Sequence, residues 1–451
     1  MAELIKEKSQ KLASIKKKGV FTIPSPLEIA VWLTFFTLFL ACVLSVPENK
    51  NVLSYLPEVL GFWEKGVWEL LAFSMQMALI LGLGYLLALT PLAERFMNGL
   101  LKYCHTNTAS VFTICLVTMM VGFLNWGLGL VLGAIMCRKL GDHLTLKGVP
   151  INYPLMGAAA YTGMMIWHGG FSGSAPLKVA EEGHFLEKTI GVIPISETIF
   201  SSMNLATIGV VLLVVPLFAW WQAKKRPSMM ISEAFFEKKS ENSSSQSYKK
   251  QPLAIIFGLM ICVSCVLMLW QSQTAVYQQI DLNFINLFLF GLSVLLMGHF
   301  GRFIKAADEA FRSTTGILIQ YPLYAGIMGV MKYSGLMVLV SEQMAAISTQ
   351  FTFPIYTLFS AGLVNILVPS GGGQWAVQGP IIVEAAQNIG VDLSKSIMAL
   401  SYGDQLTNMI QPFWALPLLG ITGLKAKEVL PHSFRFMLVG LFIFLIILMI
   451  F

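Results

Sequence analysis

Residues 109–137 read ASVFTICLVTMMVGFLNWGLGLVLGAIMC, and this stretch decides the fold of the chain. It contains no Asp, Glu, Lys or Arg, and it is longer than the ~20 residues that an α-helix needs to cross the hydrocarbon core of a membrane. Its middle, Asn125-Trp126-Gly127-Leu128-Gly129, carries two glycines and does not favour a continuous helix. We therefore expect two helical halves that meet at membrane depth.

Basic residues flank this stretch on both sides, with Arg95 and Lys102 before it and Arg138 and Lys139 after it. Loops that carry Lys and Arg tend to stay in the cytoplasm. Both ends of the stretch are then on the same side of the membrane. The sequence predicts a re-entrant hairpin that enters the membrane, turns near Asn125 and returns.

The composition of the whole chain agrees with a membrane protein. Of its 451 residues only 12% are charged and 56% are hydrophobic, and the mean hydropathy is +0.70. Soluble proteins carry about 25% charged residues. The composition excludes a disordered chain, a nucleic-acid binder and an ordinary soluble enzyme. A membrane β-barrel would show alternating segments of about ten residues, and the sequence has none.

Eleven apolar segments can be placed along the chain, and the charges between them predict which connections lie in the cytoplasm. Counted from a cytoplasmic N-terminus, 24 of the 30 Lys and Arg residues fall in segments predicted to be cytoplasmic. The fold expected is an all-α polytopic membrane protein with about nine crossings and two hairpins. The apolar segments are 27–46, 67–90, 109–137, 150–177, 198–221, 252–271, 284–300, 313–331, 351–389, 396–424 and 431–451.

The order of the segments indicates two halves with the same plan. Segment 351–389 is also broken, at Pro369-Ser370-Gly371-Gly372-Gly373, and is the second predicted hairpin. Each half reads helix, helix, hairpin, broken helix, helix, and the extra helix 252–271 inverts the second copy, as in many secondary transporters. The predicted divisions are a cytoplasmic basic arm (1–26), a first repeat (27–221), a cytoplasmic linker (222–251) and the linking helix with the inverted repeat (252–451).

The candidate site lies at the breaks, because irregular backbone at membrane depth survives only where it is buried in protein or lines a wet cavity. The breaks combine small residues, neutral hydrogen-bonding side chains and Trp rings, without Lys or Arg, which suits a small amphipathic anion better than a sugar or a multiply charged anion. The substrate-binding candidates are Asn125, Trp126, Gly127, Gly129, Ser172, Gly173, Ser174, Asn365, Pro369, Ser370, Gly371, Gly372, Gly373, Gln374, Trp375, Thr407, Asn408 and Gln411.

Asp404 is the conspicuous charge, because an acid within a long apolar segment is costly and usually functional. Asp404 and its neighbour Gln405 are the candidates for a coupling cation, either a proton or sodium. Asp404 could instead be a structural acid held by hydrogen bonds. His168, beside a Gly-Gly break, could titrate or could be a packing residue.

Five motifs carry a resemblance to a known family. They are Trp68-Glu69-Leu70-Leu71-Ala72-Phe73-Ser74-Met75-Gln76-Met77-Ala78-Leu79, Asn125-Trp126-Gly127-Leu128-Gly129, Gly170-Phe171-Ser172-Gly173-Ser174, Val368-Pro369-Ser370-Gly371-Gly372-Gly373 and Gln411-Pro412-Phe413-Trp414-Ala415-Leu416-Pro417. In this order, over nearly the whole chain, they resemble the bacterial short-chain fatty acid transporter family of acetoacetate and butyrate permeases.

The resemblance implies transport of short-chain carboxylates across the bacterial inner membrane by a protein with inverted repeats and re-entrant hairpins. The family pattern usually has glycine at the position of His168, which weakens a coupling role for His168, whereas the acid at Asp404 fits the pattern. The expected partners are the carboxylate, a co-transported proton or sodium ion and the lipid bilayer, with a homodimer left open.

Two other classes of function compete with secondary transport. The first is a passive channel or facilitator for small organic anions. Only the repeat organisation distinguishes it from a secondary transporter, and repeats favour the alternating access of a transporter. A membrane-embedded enzyme lacks support, since the sequence has no His-Glu-x-x-His, no Gly-x-Ser-x-Gly elbow and no phosphate-binding loop. We expect no enzymatic activity, no cofactor, no bound metal and no nucleic acid.

Overall fold

Helices make up nearly all of the regular structure. The structure is a computed structural model that describes residues 26–231, 248–271, 280–367 and 370–451. Within these ranges no β-strand forms, and the one extended pairing is an isolated antiparallel bridge between Ile151 and Met229. The all-α fold expected from the sequence is confirmed.

The described residues of the first half form ten α-helices and two short 3-10 turns. The turns, Thr162–Met165 and Trp167–Gly169, interrupt the chain between α7 and α8. The helices are α1 (Pro26–Leu44), α2 (Val52–Val67), α3 (Leu71–Ala88), α4 (Pro91–Leu101), α5 (Asn107–Leu124), α6 (Trp126–Leu146), α7 (Tyr153–Ala160), α8 (Ser174–Lys178), α9 (Glu187–Ile190) and α10 (Ser202–Lys225).

The second half repeats the alternation of long and broken helices. A 3-10 turn, Asn408–Ile410, separates α18 from α19. The helices are α11 (Pro252–Gln271), α12 (Leu282–Met297), α13 (Phe300–Phe311), α14 (Thr315–Tyr333), α15 (Leu336–Ala346), α16 (Phe353–Leu367), α17 (Gly371–Ile389), α18 (Leu393–Thr407), α19 (Pro412–Thr422) and α20 (Ala426–Ile450).

Asn125 turns the chain between α5 and α6. Its extended backbone (φ −157°, ψ 124°) ends α5, and its side chain accepts the Leu128 N–H as the N-cap of α6. The helices then run back along each other so closely that a Cβ on Gly129 would lie 2.7 Å from the Cα of Gly122. The two halves of the decisive stretch therefore pack side by side in opposite directions.

A second pair of helices, α16 and α17, folds back in the same way. The Gln374 side chain on α17 donates to the carbonyl of Ala361 at 2.8 Å, and Gln378 donates to the Ser360 hydroxyl at 3.0 Å. Ser370 caps α17 as Asn125 caps α6, with its hydroxyl accepting the Gly373 N–H. Whether either pair re-enters the membrane from one side stays a prediction, as does the inverted repeat.

The sequence missed α2, which lies in the connection between the apolar segments 27–46 and 67–90. Asn51 and Ser54 form a capping box at its start, and its buried face packs against α14. A search for apolar stretches does not find this helix, because it contains the charged residues Glu58, Glu64 and Lys65. A helix is also present at α4, α13 and α15, where short connections were expected.

Within the described ranges, five helices are long and apolar enough to cross a membrane: α3, α5, α10, α11 and α20. A sixth span follows if the bent pair α14 and α15 is counted as one. Rings on α1, including those of Trp32, Phe35 and Phe39, are exposed on its outer face, as expected of a lipid-facing surface. The count of nine crossings stays a prediction.

The predicted divisions of the chain are only partly covered by the described residues. The basic arm, apart from Pro26, lies outside them, and so do residues 232–247 of the linker. Helix α10 continues to Lys225, into the segment taken as linker, and Asn152 ties the start of that segment down by donating to the Pro227 carbonyl at 3.0 Å.

Candidate functional site

A narrow pocket forms where the broken helices of both halves meet. It has room for about one or two water molecules. One end carries the hydroxyls of Ser174, Ser370 and Tyr321, and the rest of the wall is apolar. The lining residues are Met77, Trp126, Met164, Trp167, Ser174, Ile317, Tyr321, Ser370, Gly371 and Trp414.

The N-terminus of α17 supplies the polar end of this pocket. The Ser370 hydroxyl accepts the Gly373 N–H at 3.2 Å and lies 2.9 Å from the Tyr321 hydroxyl. The first free N–H groups of a helix, together with its dipole, favour an anion. A carboxylate in this pocket would therefore meet hydrogen-bond donors and partial positive charge.

The glycines at the start of α17 allow other side chains to come close. A Cβ on Gly371 would lie 2.6 Å from the Trp167 ring and 3.1 Å from the Ser174 Oγ. A Cβ on Gly372 would lie 2.4 Å from the Tyr321 hydroxyl and 2.9 Å from the Phe73 ring. Any side chain at these two positions displaces part of the pocket wall.

Three tryptophans form the apolar wall. Trp126 packs against Trp414, with ring centroids 4.9 Å apart in an edge-to-face arrangement, and against Trp167 at 5.8 Å. The backbone N–H of Trp126 donates to the Ser172 hydroxyl at 2.9 Å, which fixes the start of α6 to the first broken helix. These contacts set the width of the pocket.

A larger apolar pocket lies on the other side of the Trp126–Trp414 pair. Both rings line it as well, so the pair is a wall that the two pockets share. The residues of this apolar pocket are Leu81, Tyr85, Trp126, Leu130, Val131, Trp414, Leu416 and Pro417.

Asp404 and His168 lie behind the pocket wall, next to the start of α17. Both side chains are fully buried, and the Nδ1 of His168 is 3.6 Å from the Oδ1 of Asp404. Asn408 donates to the same Oδ1 at 3.2 Å, and Oδ2 of Asp404 has no hydrogen-bond partner among the described residues. A buried carboxylate with one unpaired oxygen can take a cation or a proton.

The tautomer of His168 follows from its other contacts. Its Nε2 accepts the backbone N–H of Ala175 at 3.2 Å, so the ring proton is on Nδ1, which faces Asp404. The His168 backbone N–H also donates to the side chain of Gln405 at 3.0 Å.

A second polar cluster surrounds Asn365. Its Nδ2 lies 2.8 Å from the Asp404 carbonyl, the Thr407 hydroxyl and the Asn408 Oδ1. The two hydrogens on Nδ2 can be donated to only two of these three acceptors at a time. Its carbonyl accepts a hydrogen bond from Gln411. The Oδ1 of Asn365 is buried and has no partner among the described residues, so the cluster offers a second free oxygen near Asp404.

The structure brings the substrate-binding candidates close together but divides them into two groups. Trp126, Ser174, Ser370 and Gly371 line the pocket. The remaining described candidates lie behind it and hold its walls: Asn125, Gly127, Gly129, Ser172, Gly173, Asn365, Gly372, Gly373, Gln374, Trp375, Thr407, Asn408 and Gln411. Pro369 lies outside the described residues.

Several lining residues were not among the candidates. Met77 and Ile317 lie in unbroken helices and look like ordinary core residues in the sequence. Tyr321 had one usable signal, since it is a polar aromatic residue next to Pro322 inside an apolar helix. His168 was left without a role, although the structure places it against Asp404.

Comparison with known proteins places the chain among transporters. A family model described as "Short chain fatty acid transporter" matches residues 5–451. A protein of Escherichia coli K12, provisionally named a short-chain fatty acid transporter, is 35% identical over 94% of this chain and 95% of its own length. A protein of Haemophilus influenzae with the same provisional name is 33% identical over 90% and 92%.

Two solved transporter structures share the fold. MtrF of Neisseria gonorrhoeae, described as one of a class of antimetabolite efflux pumps, aligns over 96% of this chain and 97% of its own, with a TM-score of 0.59 and 16% identity. The YdaH transporter of Alcanivorax borkumensis aligns over 95% and 98%, with a TM-score of 0.55 and 14% identity. At these identities the likeness concerns the fold alone.

Proposed function

The chain belongs to the short-chain fatty acid transporter family, and on that premise we propose that it carries acetoacetate, butyrate or a similar monocarboxylate together with a cation. It is a multi-pass membrane transporter and not an enzyme. We place it in the bacterial inner membrane with a cytoplasmic N-terminus, where it works by alternating access.

The observation that supports this substrate class is the two-sided pocket. Its polar end, with Ser174, Ser370 and the start of α17, suits a single carboxylate. Its walls of Trp126 and Trp414 suit a short alkyl chain. A sugar would require more polar partners than this pocket provides, and a dicarboxylate would require a basic side chain, which is not among the lining residues.

The size of the pocket supports alternating access over a permanently open pathway. Space for one or two water molecules is too small for the four carbons of butyrate. Binding therefore requires the pocket walls to separate, and both halves of the chain contribute to those walls. A conformational change of this kind allows coupling to a second solute.

Coupling to a cation follows from the energetics of an anion that enters a negative-inside cell. The membrane potential opposes each negative charge by about 2.3 kcal/mol per 100 mV. A cation bound at Asp404 would offset that cost, and the free Oδ2 of Asp404 and free Oδ1 of Asn365 are available to hold it.

Uptake of labelled butyrate by proteoliposomes tests this function against the alternative, a passive channel or facilitator. We expect accumulation above the outside concentration when a proton or sodium gradient is imposed. A channel cannot concentrate a solute, so equilibration without accumulation would favour the alternative. Imposing each gradient separately identifies the coupling cation.

The re-entrant hairpin has its own test, because α5 and α6 must begin and end on one face. Single cysteines at the exposed positions His105 and Lys147, in a chain without other cysteines, are treated with an impermeant maleimide in whole cells. We expect neither to react until the membrane is opened. Labelling of one position alone would mean that the segment crosses the membrane.

A further inference from the structure

Lys178 is the one buried Lys or Arg in the part of the chain that the structure describes. It lies on α8, one helical turn after Ser174 of the pocket wall. In the sequence it directly follows the apolar segment 150–177, and no Lys or Arg occurs among the candidate residues at the breaks. A buried cation beside a pocket for an anion therefore needs a physical explanation.

The carboxylate of Glu181 is surrounded by donors from three different helices. Lys178 Nζ lies 2.9 Å from Oε2, and Gln76 Nε2 lies 3.0 Å from each of the two oxygens. Asn283 Nδ2 lies 3.3 Å from Oε1. One ammonium group and two amides thus converge on a single carboxylate, which is the donor set of a carboxylate-binding site.

These donors are held in place independently of Glu181. Gln76 accepts from Lys178 at 3.4 Å and donates to Asn283 Oδ1 at 2.9 Å, and its backbone carbonyl accepts from Asn286 at 3.0 Å. Glu181 itself lies in the turn that follows α8. The occupant can therefore swing out without unwinding a helix, while the donors stay on α3, α8 and α12.

The cluster lies between solvent and the pocket. Asn283 is exposed at one end. At the other end Lys178 Nζ lies 5.3 Å from the centroid of the Phe73 ring, and that ring packs at 5.9 Å against Tyr321 of the pocket wall. The nearby acid Asp281 is already engaged, because it caps α12 by accepting the Phe284 N–H.

We propose that Lys178, Gln76 and Asn283 form an outer binding site for carboxylates, which Glu181 occupies until a substrate carboxylate displaces it. The site would capture the anion at the mouth of the pathway and release it past Phe73 to the inner pocket. That the carboxylate is a transported substrate rests on the proposed function. The alternative is a fixed structural ion pair.

The two readings differ in the sign of mutational effects. If Glu181 competes with substrate, Glu181→Gln weakens the competitor while it fills the same space. The half-saturating butyrate concentration then falls by about tenfold, which is the effect of one charge-assisted hydrogen bond. Lys178→Gln raises that concentration by about tenfold for the same reason. The double variant then behaves like Lys178→Gln.

A structural ion pair gives a different pattern. Both single variants would then shift in the same direction, and the neutral double variant would return toward wild type, which overturns the proposal. Glu182→Gln is the matched control, because Glu182 is the next residue and is exposed. Asn283→Ala, at an exposed position, must weaken binding even if Lys178→Gln fails to fold.

Two readouts separate this proposal from the proposed function. The first is the rise in melting temperature of the detergent-solubilised full-length chain as butyrate is added, with butyramide as the neutral control. The second is KM for butyrate uptake by proteoliposomes. If wild type does not transport butyrate, the melting series is repeated with acetate, lactate and succinate. The site stands if any of these carboxylates gives the predicted signs, and it is overturned if none does.

Discussion

The Nδ1 atom of His168 lies 3.6 Å from the Oδ1 atom of Asp404, and the two residues come from the broken helices of opposite halves of the chain. The contact joins the halves directly behind the pocket, since the His168 ring also lies next to the start of α17. A change in the charge of Asp404 therefore acts on a contact that must shift if the halves move. If a cation binds at Asp404, as proposed, this contact is where its charge would act on the pocket walls.

Asp404→Asn tests whether this link couples transport to a gradient. The amide keeps the size of the side chain but cannot hold a proton or a cation as a carboxylate can. We expect butyrate counterflow to continue and gradient-driven accumulation to be lost. Both are measured in the same vesicles. The control is Asp392→Asn on the same helix, where Asn can still cap α18. Full accumulation by Asp404→Asn would make Asp404 a structural acid.

Replacement of His168 tests the tautomer inferred from its contacts. Asn can place an N–H where Nδ1 stands, toward Asp404, whereas Gln reaches the Nε2 position, toward Ala175. We expect His168→Asn to keep most concentrative uptake. His168→Gln should slow it by about tenfold, the factor that ~1.4 kcal/mol of lost stabilisation produces. The reverse order of the two variants would contradict the assigned tautomer.

Gly372→Ala tests whether the start of α17 must approach Tyr321 closely. The added methyl would lie 2.4 Å from the Tyr321 hydroxyl. Overpacking of this kind lowers the free energy of unfolding by about 1–3 kcal/mol. We expect a lower melting temperature and slower uptake. Tyr321→Phe removes the clashing oxygen and should recover part of the loss in the double variant. No recovery would place the strain elsewhere, for example at Phe73.

The sequence predicted those parts of the fold that depend on local pattern. Helix α11 was predicted within one residue of its bounds, because apolar composition alone defines it. The turn at Asn125 was predicted because glycines interrupt an uncharged segment, and the structure adds that Asn125 caps α6. Helix α2 was missed, because its charged residues make it too polar to be recognised as an apolar segment, and tertiary packing stabilises it.

The site was predicted less completely, because its contacts join residues far apart in the chain. The pattern of Trp126, Ser174 and Ser370 at breaks identified part of the pocket wall. The pairing of His168 with Asp404 has no local signal. The burial of Lys178 also has no local signal, because it depends on contacts with Glu181 and Gln76.

Trp414→Ala tests the role of the tryptophan pair in chain-length selection. Removal of this ring joins the polar pocket to the apolar pocket beyond it, since Trp414 and Trp126 form the wall that they share. We expect KM for hexanoate to fall relative to KM for butyrate, measured in proteoliposomes. Trp270→Ala, at an exposed position on α11, should leave the ratio unchanged. An unchanged ratio in Trp414→Ala would exclude the apolar pocket from substrate binding.

His184 makes the loop after α8 sensitive to pH. Burial lowers the pKa of His184 below its usual 6.5, and the positive charge of Lys178 acts in the same direction. The hydrogen bond to the Gly191 carbonyl and the negative charges of Glu187 and Glu181 raise the pKa of His184, but they do not cancel this shift. Because the unfolded loop binds the proton more readily, the folded loop is most stable above pH 6.5 and loses stability as the pH falls.

Hydrogen exchange over residues 184–191, corrected for its intrinsic pH dependence, measures this loss. Below pH 6.5 protection in wild type should fall by at most about tenfold per pH unit, the limit set by one linked proton. His184→Gln keeps a donor for the Gly191 carbonyl but cannot titrate, so its protection should change little with pH. An equal pH dependence in both proteins would show that His184 is not the source of the effect.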